Sequence, residues 1–78
     1  MLDQIKQIMA DILGLDARAI DGATSKERTS SWDSMNHVSL VLALEQEFGV
    51  LFEPADIEAM TSCNAVLEVL EKKLASPK

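Results

Sequence analysis

Apolar residues in this chain recur at intervals of three and four, and that spacing constrains its fold more than any other feature. Leu2, Ile5, Ile8, Met9, Ile12 and Leu13 form one such stripe, the pattern of an amphipathic helix that buries one face. Gly14 is placed to stop it, because glycine enters the left-handed conformation of a helix end without strain. Leu40, Val41, Leu44 and Phe48 repeat the pattern before Gly49, and Asp33 can cap that helix with its carboxylate. Pro54 suits the first turn of a short third helix, where the missing N–H has no helical partner in any case. Thr61 or Ser62 then caps a last helix with Cys63, Val66, Leu67, Leu70 and Leu74 on one face, and Lys72 and Lys73 complement its C-terminal dipole. The spacing predicts helices over about 2–13, 34–48, 54–60 and 62–74, followed by a frayed tail at 75–78.

Residues 14–32 show no sustained period and are rich in Gly, Ala, Asp, Thr and Ser, with Leu15 and Ile20 as the expected hydrophobic pins. So long a structureless connection is unusual in a chain of 78 residues, and such loops tend to carry function. The expected fold is all-α, a single domain over 1–78 built as a small four-helix bundle with a long first loop and a short third helix. Apolar residues make up 47% of the chain and aromatics only 4%, enough for one small core of modest stability.

Charge narrows the partners. The chain carries net charge −6, and from Thr29 through Glu71 it has eight acids and no Lys or Arg, so that segment alone holds −8. Such a field repels nucleic acid and anionic membranes and steers a basic protein partner. No run reaches membrane-spanning length, the start lacks a secretory signal pattern, and a lone cysteine closes no internal disulfide. The expectation is a cytoplasmic monomer without membrane insertion.

Ser34 follows the capping Asp33 and opens the second helix, its hydroxyl on the rim of the long loop. Unpaired N–H groups and the positive end of the helix dipole suit that position to a covalently attached anion; on spacing alone the signal is weak, because a Ser after a capping Asp is usually just a helix start. The same helix has a second apolar line, Met35, Val38 and Leu42, rotated away from the first. It is either enclosed by the fold or an exposed strip that docks partners, with Glu45, Glu47, Glu53, Asp56 and Glu58 around it. Asp33, Ser34 and His37 do not make a hydrolase, because no glycine-rich nucleophile turn is present and a triad needs its acid behind the imidazole. His37 has no companion at metal-ligand spacing, and Cys63 suits a small core position. Neither catalytic residues nor a metal are expected.

The stretch Asp33-Ser34-Met35, followed by Val38, Leu40, Val41, Ala43-Leu44-Glu45-Gln46-Glu47-Phe48-Gly49 and the Pro54 helix, resembles the acyl carrier protein family. The likeness extends to the first helix ending at Gly14, the long loop and the last helix, and so covers nearly the whole chain. It implies a four-helix bundle in which Ser34 receives 4′-phosphopantetheine, derived from coenzyme A, through a phosphopantetheinyl transferase. The arm's thiol then carries an acyl or aminoacyl group as a thioester between enzymes: an acyl or aminoacyl ligase, and a downstream acyltransferase or synthase of fatty acid or polyketide type. Asp33 corresponds to the aspartate of the family motif, and Met35 to the apolar residue that touches partner enzymes. Three departures point from housekeeping fatty-acid synthesis to a specialised pathway. Thr29-Ser30-Ser31-Trp32 stands where many carriers have Asp-Leu-Gly, with Trp32 expected to pin the loop on the core. Asn36 and Ser39, with His37 between them, occupy positions that are often acidic. Lys26 replaces an aromatic residue common in fatty-acid carriers, which argues against a pocket for a long acyl chain. A peptidyl carrier would more usually show Gly-Gly before the serine. The competing reading is a small acidic adaptor that binds a basic protein without cofactor, with Asp33-Ser34 as a mere cap.

Overall fold

A computed structural model describes residues 1–75. They form α1 (Leu2–Leu13), α2 (Ser34–Phe48), α3 (Pro54–Ala59) and α4 (Cys63–Ala75), with a single 3-10 turn at Ala17–Ala19 between the first two. Glycines end α1 and α2 as expected. Gly14 and Gly49 adopt φ of 70° and 66°, and their N–H groups donate to the carbonyls of Ala10 and Glu45. α1 packs against α2 and α4, and α3 packs against α4. Ile5 and Met9 of α1, Leu40 and Leu44 of α2, and Val66 and Leu70 of α4 meet in the centre without exposure. Among the described residues no helix is long and apolar enough to cross a membrane.

The long connection is more ordered than its composition suggested. Asp16 caps the 3-10 turn by accepting from the Arg18 N–H at 2.9 Å, and Ile20 and Trp32 are buried while Leu15 is half-buried. Its middle is held by α4. A helix start leaves N–H groups without intrahelical partners, and here the loop supplies acceptors: Cys63 N–H donates to the Thr24 carbonyl at 2.8 Å and Asn64 N–H to the Gly22 carbonyl at 3.1 Å. In return Lys26 N–H donates to the Thr61 carbonyl at 2.8 Å. These partners lie some forty positions apart in the chain, so local periodicity carries no trace of them.

Other departures are at helix ends. Ser62 is the cap of α4, its Oγ accepting from Ala65 N–H at 3.1 Å, whereas Thr61 is exposed. α3 stops at Ala59, and Met60 turns inward to full burial. Leu74 and Leu2 stand on the outermost turns of α4 and α1, where the bundle is too short to cover them, and both are exposed; Phe48 and Leu67 are half-buried. Ala75, expected to fray, closes α4, and the rest of the expected tail, 76–78, lies outside the described residues.

α3 has no fully buried residue; Ile57 packs half-buried against the core, and polar contacts fasten the helix further. Asp56 Oδ2 accepts from Glu53 N–H at 2.9 Å and pairs with Lys73 Nζ at 2.9 Å. The Glu53 N–H first, and Lys73 second, hold the Asp56 carboxyl below its ordinary range. A depressed carboxylate contributes stability that is present above the unfolded-state value, about 4, and lost as pH falls through the folded value. Asp56→Asn is therefore expected to lower the thermal midpoint at pH 7, with the gap to wild type closing on acidification. A gap that held constant or widened in acid would contradict this.

Candidate functional site

The N-terminus of α2 gathers the residues singled out in the sequence. Asp33 is extended (φ −96°, ψ −174°), its Oδ1 accepts from Asn36 N–H at 2.9 Å, and its carbonyl accepts from His37 N–H at 2.8 Å. The cap thus forms as expected, and Ser34 is the first residue of a 15-residue helix, with its side chain exposed. With the Asn36 N–H taken by the cap, the amides of Ser34 and Met35 are the leading ones without helical acceptors, and they carry the positive end of the dipole. An anion on the Ser34 oxygen would be stabilised there by backbone alone, in a segment without Lys or Arg.

The strip predicted on α2 is outside the core. Met35 is 81% exposed, Val38 56% and Leu42 54%. Met35 and Val38 border a shallow, mostly apolar hollow that reaches Ser34 and Ser39. Leu51, just past Gly49, is 80% exposed and shares a second groove with Leu42 and Val50. Leu51 extends the strip beyond the helix, where helical periodicity could not have found it. Of the surrounding acids, Glu47, Glu53 and Glu58 are exposed. Glu45 and Asp56 have structural duties as well: Glu45 Oε2 accepts from Phe52 N–H at 2.9 Å, closing the turn after α2, and Asp56 holds α3.

Behind Ser34 lies an arrangement that sequence reading missed. Trp32 is buried, and its Nε1–H donates to His37 Nδ1 at 2.9 Å; His37 Nε2 lies 2.8 Å from the Ile57 carbonyl. An indole nitrogen only donates, so Nδ1 must accept. The proton then sits on Nε2 and is donated to Ile57 of α3, which fixes the neutral tautomer on chemical grounds. A signal was available: His37 lies three, four and seven residues before Leu40, Val41 and Leu44, on the buried stripe of α2, and a buried tryptophan needs an acceptor.

The residues present suit a phosphopantetheine arm. Ser34 offers an accessible hydroxyl at a helix N-terminus beside an open apolar hollow. Cys63, the one cysteine, is buried, and burial pushes its thiol up from the ordinary value, so it offers no reactive thiol at the surface.

Known proteins concur with the geometry. A family model described as "Phosphopantetheine attachment site" matches residues 3–70. An acyl carrier protein of Thermosynechococcus vestitus is 32% identical over 97% of this chain and 94% of its own length. One from Thermotoga maritima is 30% identical over 95% and 91%. The Polyketide-8 synthase acyl carrier protein 2 of Streptomyces avermitilis is 28% identical over 92% and 83%. With a family match over most of the chain, and relatives aligned nearly end to end, this chain belongs to the acyl carrier protein family of phosphopantetheine carriers.

Proposed function

We propose that Ser34 is the residue of this carrier that bears 4′-phosphopantetheine, and that the chain itself performs no catalysis. The exposed Ser34 hydroxyl at the start of α2, next to the bare strip Met35, Val38 and Leu42, carries the reading. The arm supplies a terminal thiol on which an acyl or aminoacyl group is held as a thioester. The chain's own residues present it: Asp33 caps the helix, its leading amides stabilise the phosphodiester, and the strip docks the enzymes. Those partners are a phosphopantetheinyl transferase, a ligase that loads the group and an acyltransferase or synthase that takes it, in fatty acid or polyketide biosynthesis. The pathway is a specialised one, on the strength of Lys26, Trp32 and the uncharged Asn36 and Ser39. The single domain acts as a cytoplasmic monomer. Intact mass after incubation with a phosphopantetheinyl transferase and coenzyme A tests the reading: one arm per chain is expected, and no gain in mass would favour a cofactor-free acidic adaptor.

Apolar contact should carry much of the docking, since α2 presents no acid between Asp33 and Glu45. Residues at the centre of an interface typically cost about 1–3 kcal/mol on truncation to alanine, and rim charges less. Met35→Ala and Leu42→Ala are therefore expected to reduce loading by the cognate ligase more than Glu47→Gln does. A larger loss from Glu47→Gln would mean that charge dominates.

A further inference from the structure

We propose that Trp32 and His37 form a clasp that positions Ser34 for its modifying enzyme, with His37 as a positioning residue. The inference rests on the assignment of Ser34 made above. An ordinary helix start needs only the Asp33 cap. Here each of the three residues before Ser34 is tied to the first turn of α2. The Ser31 carbonyl accepts from Asn36 Nδ2 at 2.7 Å, Trp32 Nε1–H donates to His37 Nδ1 at 2.9 Å, and Asp33 Oδ1 accepts from Asn36 N–H at 2.9 Å. An apolar residue at 37 would continue the buried stripe equally well but leave the indole N–H without its acceptor, a costly state in the interior.

The imidazole also reaches away from Ser34. Through Nε2–H it holds the Ile57 carbonyl at 2.8 Å, and α3 is a six-residue helix with no fully buried residue of its own. One side chain thereby ties the residues leading into Ser34 to the backbone of α3, which Asp56–Lys73 and the half-buried Ile57 also hold in place. Phosphoryl transfer to a hydroxyl depends on its alignment with the incoming group, and a misplacement of about 1 Å can cost roughly 100-fold. Loosening the clasp should consequently slow modification itself, beyond any effect on folding.

The test uses the full chain with a phosphopantetheinyl transferase and coenzyme A, below the unfolding transition, for wild type, Trp32→Phe, His37→Leu, the double variant and His37→Gln. Trp32→Phe and His37→Leu are each expected to lower kcat about tenfold with KM nearly unchanged, the loss expected of misalignment rather than weakened docking. The double variant should be no slower than the slower single, because both changes break one clasp. His37→Gln should recover part of the rate, since its amide can still donate to the Ile57 carbonyl. Emission from Trp32, the one tryptophan, should change in His37→Leu. If His37→Leu does not fold, Trp32→Phe, which keeps an aromatic ring in the core, carries the test. Variants that melt earlier yet are modified at the wild-type kcat, or losses that multiply in the double variant, overturn the clasp alone. A wild-type chain that gains no arm overturns the Ser34 assignment itself.

Discussion

Replacing Leu44 with alanine is expected to lower the unfolding free energy by about 2–5 kcal/mol, the cost of truncating a fully buried leucine whose cavity only partly collapses. Leu44 is 0% exposed and lies in the core cluster with Leu40 and Val41. Native domains hold roughly 0.05–0.15 kcal/mol per residue, so such a loss consumes much of what a chain of 78 residues possesses. In a domain this small the thermal midpoint should fall by about 10 °C or more. Leu42→Ala removes the same atoms two residues away, from a side chain that is 54% exposed, and should cost less than about 1 kcal/mol. Thermal or urea unfolding of the pair checks the partition of α2 into a buried and a bare apolar line. Equal losses would place Leu42 in the core and remove the proposed docking strip.

That partition was half legible in sequence. Two apolar lines on one helix cannot both be buried from one side, but periodicity alone could not say which was covered. Contact with α1 settles it in favour of Leu40, Val41 and Leu44. Helix ends were legible at Gly14, Asp33, Gly49 and Pro54 because capping chemistry is local: a left-handed residue, a carboxylate acceptor, a residue without N–H. The order of the long loop was not, because its acceptors at Gly22 and Thr24 serve donors on α4. The role of His37 was hidden for a related reason. The residue's lack of a metal-ligand companion was legible, but only the third dimension brings the Trp32 indole to one nitrogen and the Ile57 carbonyl to the other. Leu51 escaped notice because it follows Gly49, outside any helical repeat. Ser34 was legible as the first residue of the capped helix, as the structure has it; as an attachment site it stands as proposed, on the arrangement of motif, loop and helices around it.

Ser34→Ala is expected to leave the fold in place and remove modification completely. The side chain is exposed, the cap belongs to Asp33, and alanine is a good helix former in the first turn, so helicity and thermal midpoint should stay close to wild type. Modification should vanish because neither Ser30 nor Ser31 starts a helix: Ser30 lies in the loop, and the Ser31 hydroxyl oxygen is buried. Ser39 and Ser62 lie away from the capped start of α2. The most direct measurement is peptide-level mass mapping of wild type and Ser34→Ala after treatment with a phosphopantetheinyl transferase and coenzyme A. The account predicts a single arm in wild type, on the peptide containing Asp33-Ser34-Met35, and none in a variant that remains helical. An arm mapped to Ser30, Ser31 or any other residue, or one that persists in Ser34→Ala, would contradict it.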